Sequence, residues 1–397
     1  MAPSPLADAW ALTLRGLLAC VLAAASTAQE PWELGPCSVG RRLDTFEHPD
    51  SSSVTGNVYG SIWYPAHREG RDAPPHLAGG PYPHVVFFHG HTALSGSYSA
   101  LIRQLVSWGF VVSAVETNSG IRGEHSMHGA FARDQELFID YIEAQARRPG
   151  SFYHGLIDGG DLGVFGHSLG ASALFFYLPR EPRVRAALSL QPYVGPKYGG
   201  VAGGVAGAAE YAERLVVLSG TEDEVTHPET QNRLWFEGTP CASWRLWTIV
   251  DGMGHLGPLD SPPAPQKGSL PMDEQLRVHR LYATALFRAT LRGEEELLER
   301  LTAPADVGAG FEHHAAERGP ELCFLLIEGG ARPLALPVRP GAGPAAPLPP
   351  GVRPHLARLH LNAHGRARRV QHPAGSLSWE PAETTIPAPS GAHPRRP

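Results

Sequence analysis

Lysine is almost missing from this 397-residue chain. Lys197 and Lys267 are the only two among 33 Lys and Arg residues, a bias that reads as codon usage. Cysteine is scarce as well, at four. No uninterrupted apolar run reaches about 18 residues, which argues against an integral membrane protein. Neither charge is in large excess. A net charge of −6 gives no general attraction to nucleic acid or to anionic membranes. Apolar residues are not lacking: at 42% hydrophobic and 18% charged, the chain can build a sizeable core and is not disordered over most of its length. What is abundant is Gly, at 45, and Pro, at 38, so loops or a biased segment must be present.

Both ends differ from the middle. Arg15 precedes an apolar run from Gly16 to Ala25, followed by Ser26-Thr27-Ala28. Small residues at the positions a signal peptidase inspects predict a secretory signal over 1–28, cleaved after Ala28. The rival is a lipoprotein signal ending Leu17-Leu18-Ala19-Cys20. It would leave too short an apolar stretch before the cysteine. Removal of the signal leaves Cys37, Cys241 and Cys323. An odd count in an exported chain predicts one disulfide and one thiol, with Cys241 and Cys323 the favoured pair and the alternatives open. From about Ala331 to Pro397 Pro, Ala and Arg recur with no helical or strand period. The expectation is a disordered tail, apart from a short helix near His355 to Leu361.

Between these ends, over 29–330, strand and helix patterns alternate. Apolar strands are expected at Pro83–Phe88, Phe110–Val115, Asp161–Phe165, Ala186–Leu190, Leu215–Leu218 and Trp244–Val250. Helical periodicity runs over Ser99–Trp108, Asp134–Ala146, Ala171–Tyr177 and Glu274–Leu291, with an extension from about Gly293. The predicted class is α/β, a mostly parallel central sheet with helices on both faces. Functional groups are then expected on loops at the strand C-termini.

Gly166-His167-Ser168-Leu169-Gly170 lies between one of those strands and a helix. Gly-x-Ser-x-Gly alone is a weak signal. In strand–turn–helix context it is a nucleophile elbow, with Ser168 in a strained, exposed position and the helix N-terminus offering N–H groups to an oxyanion. A serine needs a base, and the base an orienting carboxylate, in the chain order Ser, acid, His. After the strand Leu215–Leu218 comes Ser219-Gly220-Thr221-Glu222-Asp223-Glu224. Asp223 is the chosen acid, Glu224 the alternative, and Glu222 is read as solvated. His255, on the glycine-rich loop after Trp244–Val250, is the chosen base; His227 is the competitor, only four residues beyond Asp223 and in need of an unusual path to the serine. The oxyanion donors are the N–H of Leu169 and one from His89-Gly90-His91-Thr92, with His91 favoured. His84, His89, His91, His125 and His128 lack metal-ligand spacing, so neither metal nor cofactor is expected.

His89-Gly90-His91-Thr92-Ala93, Gly109-Phe110-Val111-Val112, Glu116-Thr117-Asn118, the Gly-His-Ser-Leu-Gly elbow and Gly254-His255 resemble the α/β-hydrolase superfamily. Within it they are most similar to the cutinase-like, polyester-hydrolase and dienelactone-hydrolase-related branch, with chlorophyllases and platelet-activating-factor acetylhydrolases as neighbours. The similarity covers roughly Trp32 to Arg292. It implies Ser168 as nucleophile, Asp223 as acid, His255 as base, His91 and Leu169 as oxyanion donors, and Tyr193 as a substrate-facing pocket wall. The Gly-rich stretch Gly195–Gly204 stands apart as an insertion, read as a lid or a loose loop.

The function expected is a secreted serine ester hydrolase, extracellular or periplasmic. It would be a monomer acting on small-molecule, lipid or polymeric esters without cofactor or nucleic acid. The alternatives are a lipase or phospholipid acetyl-hydrolase at an interface and, in another class, a catalytically silent binding module.

Overall fold

A computed structural model of the chain describes residues 29–118, 120, 127–261, 267–303, 306, 310–317, 368–371 and 377–380. The signal segment 1–28 with Cys20, His125, Cys323 and the expected helix at 355–361 lie outside the described residues. The chain divides into two compact units, Met1–Pro333 and Leu334–Pro397.

The first unit is built on one ten-stranded sheet. In chain order its strands are β1 (Ser38–Glu47), β2 (Asn57–Ala66), β3 (Gly70–Arg71), β4 (Tyr82–Phe88), β5 (Val111–Val115), β6 (Ile157–His167), β7 (Val184–Leu190), β8 (Arg214–Gly220), β9 (Trp244–Val250) and β10 (Phe311–Glu317). Their spatial order is β10-β9-β8-β7-β6-β4-β5-β2-β1-β3. From β5 through β9 every neighbour is parallel. The strands β1, β2 and β10 join antiparallel.

The parallel strands read as near-continuous apolar runs because both faces are covered. On one face Val85 and Phe87 of β4 share a core with Leu101 and Leu105 of α1 (Ser99–Ser107) and with Val278 and Leu286 of α6 (Met272–Arg292). On the other, Phe88 meets the rings of Phe131 from α2 (His128–Arg147) and Tyr177 from α3 (Leu169–Tyr177). Two short helices, α4 (Ala202–Ala209) and α5 (Arg233–Glu237), follow β7 and β8, and α7 (Leu297–Arg300) follows α6. The α/β class and the mostly parallel sheet are as the sequence implies.

Three elements depart from the expectation. The pair β1 and β2 was not anticipated, because β1 carries Arg41, Arg42 and Asp44 and is only partly buried. The extension after Gly293 supplies β10, which pairs with β9 along its length, from Phe311 opposite Val250 to Glu317 opposite Trp244. The Gly-rich insertion carries regular structure: a 3-10 turn over Pro196–Tyr198 and then the start of α4. In the second unit, within the segment read as disordered, Arg368–Gln371 and Leu377–Glu380 form an antiparallel hairpin. Cys37 is a buried thiol, while Cys241 is buried and disulfide-bonded.

Because β4, β6, β8 and β9 run in one direction, their C-terminal residues Phe88, His167, Gly220 and Val250 share one edge of the sheet. The loops leaving that edge carry every residue singled out for chemistry.

Candidate active site

The turn from β6 to α3 is as sharp as its glycines permit. A Cβ on Gly166 would lie 2.7 Å from the Gly170 carbonyl, and one on Gly170 would lie 2.2 Å from the Phe88 carbonyl oxygen. Between them Ser168 sits at φ 55°, ψ −116°, a left-handed conformation a non-glycine residue seldom adopts. The turn holds it there: the Ser168 N–H donates to the Leu190 carbonyl at 3.0 Å, and its own carbonyl accepts from Ser172 and Tyr193 N–H at 3.2 Å each. The side chain is thereby presented at the sheet edge, with the first residue of α3, Leu169, directly after it.

The Ser168 hydroxyl lies 3.0 Å from His255 Nε2, and His255 Nδ1 lies 2.9 Å from Asp223 Oδ2. A carboxylate only accepts, so Nδ1 carries the imidazole proton and Nε2 turns its lone pair to the serine hydroxyl. All three residues are nearly closed to solvent, at 8% exposure for Ser168, 5% for His255 and 1% for Asp223. Asp223 is further held by the N–H groups of Val225 and Thr226, which donate to Oδ1 at 2.9 and 2.7 Å, and by the Thr226 hydroxyl, which donates to Oδ2 at 2.6 Å. Burial opposes its charge. The His255 contact and the Thr226 donors outweigh burial and hold its pKa below the ordinary carboxylate value.

The other acids go elsewhere. Glu224 is exposed, and Glu222 accepts from the N–H and hydroxyl of Ser269 at 2.7 and 2.6 Å. His227 is exposed. His91 lies on the loop after β4, half-buried, with its ring centroid 5.1 Å from that of Tyr198. Tyr193 is half-buried and tied to the elbow, since its N–H reaches Ser168 and its carbonyl accepts from the Ser172 hydroxyl at 2.5 Å. Among the described residues no group of three or more His, Cys, Asp or Glu is arranged to hold a metal ion.

A second set of side chains escaped the sequence reading. His167, the residue before the serine, is buried and points away from it. Its Nε2 lies 2.8 Å from the His255 carbonyl oxygen and its Nδ1 2.8 Å from the Tyr98 hydroxyl. A carbonyl cannot donate, so Nε2 carries the proton, Nδ1 accepts from Tyr98, and the Tyr98 oxygen accepts the Gly90 N–H at 3.0 Å. Burial above all, with the neighbouring His255, pushes the His167 pKa well below the ordinary imidazole value, so the ring is neutral. The loop of His255 is thus tied to the loop of His91 through the elbow. Gln191, at φ 46°, adds a further tie by donating to the Gly254 carbonyl at 2.9 Å. The one local signal for this set was a histidine inside the Gly-x-Ser-x-Gly motif.

A strand–turn–helix serine at the C-terminal edge of a mostly parallel sheet, facing a histidine and an acid from later loops, defines an α/β-hydrolase. A family model described as PET hydrolase-like matches residues 28–203, a stretch that holds Ser168 and stops before Asp223 and His255. The chain is 25% identical over 244 residues to a bis(hydroxyethyl) terephthalate hydrolase of Streptomyces coelicolor, covering 59% of this chain and 69% of that protein. It is 25% identical over 245 residues to a cutinase of Thermobifida fusca, covering 60% and 68%. A Thermobifida alba cutinase is 24% identical over 239 residues, covering 58% and 71%. The chain has the α/β-hydrolase fold and is similar to these cutinases and to the terephthalate-ester hydrolase, a likeness that the elbow and its flanking motifs implied.

Proposed function

We propose that the protein is a secreted serine hydrolase of carboxylic esters, working through an acyl-enzyme with Ser168, His255 and Asp223. The single observation that carries this is the unbroken chain from Ser168 Oγ through His255 to Asp223, at 3.0 and 2.9 Å, with the serine in a left-handed conformation. In this mechanism Ser168 Oγ attacks the ester carbonyl while His255 Nε2 takes its proton. Asp223, kept ionised, stabilises the resulting imidazolium and fixes its orientation. The N–H of Leu169, at the N-terminus of α3, and that of His91 receive the oxyanion. His255 then protonates the leaving alcohol, and a water activated by the same nitrogen releases the acid.

The ester-hydrolase class is supported by the cutinases and the terephthalate-ester hydrolase among the relatives. Export is supported by the signal-like segment 1–28. Among the described residues no helix is long and apolar enough to cross a membrane. The test is release of nitrophenol from short and medium acyl esters by the mature protein and Ser168→Ala in parallel. Hydrolysis falling at least about a thousandfold in the variant is expected. A folded wild type no more active than the variant on every ester would leave a silent binding module instead.

A further inference from the structure

The Gly-rich insertion buries one aromatic residue beside the loops that meet at the elbow. Pro196 and Lys197 are exposed, as is Gly199, yet Tyr198 between them is only 7% exposed. It is buried because it is inserted between two other rings. Its centroid lies 5.1 Å from that of His91, at 43°, and 5.1 Å from that of Tyr193, at 61°. Of those two residues, one is on the loop that packs against the elbow and the other is hydrogen-bonded to the Ser168 carbonyl. Tyr198 fills the gap between these two residues.

The turn that carries Tyr198 is built to stay. Gly199 and Gly200 adopt φ 89° and 71°, left-handed values that other residues reach only with strain. The Gly200 carbonyl accepts from His128 Nδ1 at 3.0 Å, and the His128 ring stacks on Phe176 at 5.5 Å and 19°. Met127 closes over the outside: a Cβ on Gly199 would lie 2.8 Å from its terminal methyl. The Lys197 ammonium lies 5.2 Å from the centre of the Tyr198 ring.

We propose that the space between His91 and Tyr193 is the path of the acyl chain to Ser168, and that Tyr198, by filling it, limits the enzyme to esters of short acyl chains. The inference rests on the ester-hydrolase reading above. On this proposal an acetyl group does not need the volume that Tyr198 takes up. An octanoyl chain or a benzoyl ring needs that volume and displaces the ring.

The experiment compares kcat/KM on nitrophenyl acetate, octanoate and benzoate for wild type, Tyr198→Ala and Tyr198→Phe. Wild type is expected to favour acetate. Tyr198→Ala is expected to raise the octanoate-to-acetate and benzoate-to-acetate ratios about tenfold or more, as removal of a pocket wall does. Tyr198→Phe, which keeps the ring, is expected to hold both ratios within about twofold. Should the alanine variant fail to fold, Tyr198→Trp tests the same volume in the opposite direction and is expected to lower both ratios. Ratios unmoved by these changes in an active enzyme, or a wild type that already favours octanoate, would overturn this inference alone. A wild type inert on all three esters, like Ser168→Ala, overturns the hydrolase reading and this one with it.

Discussion

His255 is held from two sides by arms of different chemistry. One arm, Asp223 with Thr226, is charged and grips the ring at Nδ1. The other, Tyr98 with His167, is neutral and grips the backbone carbonyl of the same residue. In the proposed mechanism the charged arm answers to the proton that arrives on His255. The neutral arm cannot respond to that charge and instead fixes where the loop stands. In the proposed mechanism His255 gains and loses a proton in each cycle, which calls for both a partner for its charge and a backbone that does not follow the charge.

Breaking the charged arm should cost most. Asp223→Asn keeps the volume but removes the charge and permits the wrong imidazole tautomer; kcat is expected to fall by about 10⁴-fold with the protein still folded. Steady-state kinetics with a melting curve checks this. Breaking the neutral arm should cost less. Tyr98→Phe leaves His167 Nδ1 and the Gly90 N–H buried and unpaired, so stability is expected to fall by about 1–3 kcal/mol. Since His167 is then free to turn its proton away from the His255 carbonyl, kcat should fall roughly tenfold with KM little changed. A loss of stability with kcat intact would reduce this arm to a structural tie.

The smallest effect sharpens the comparison through pH. His167 is neutral when folded, its pKa well below the ordinary imidazole value, and takes up a proton readily only when unfolded. Its contribution to stability is therefore complete above about pH 6.5 and is lost as pH falls toward the folded-state value. Asp223 has the depressed pKa of a paired carboxylate, so its contribution is complete above about pH 4 and is lost only as pH falls through its lower folded value. Urea melts between pH 7 and 5 should show His167→Gln flattening the slope by up to about 1.4 kcal/mol per pH unit.

The two arms also differ in how far they could be read from sequence. The elbow is local, with strand, glycines, serine and helix adjoining one another, and the acid follows a strand and a glycine in the expected order. The choice between Asp223 and Glu224 was less accessible. It depends on a turn in which Oδ1 receives the N–H groups two and three residues on, a reach that suits a short side chain. The neutral arm left no pattern, because Tyr98 lies 69 residues from His167 and His255 a further 88 beyond it. Tyr198 was hidden for a different reason. Glycines on both sides suggested looseness, whereas two of them supply left-handed geometry for a defined turn. The apolar parallel strands were visible as runs. The half-exposed β1 and β10, rich in Arg, Glu and His, were not.

Strand β10 has a bearing on how copies of this protein meet one another. Without it, β9 would present the open edge of a seven-residue strand containing Trp244, Leu246, Trp247 and Ile249, a ready template for pairing with another chain. The extension occupies that edge from end to end, and His314 stacks on Trp247 at 4.8 Å. The new outer edge carries Glu312, His313 and His314, and at the far side of the sheet β3 is only two residues long. Charged and short edges discourage further strand addition. The residues after Gly293 therefore guard against aggregation at the strand that delivers His255, a duty separate from catalysis and set by the same sheet.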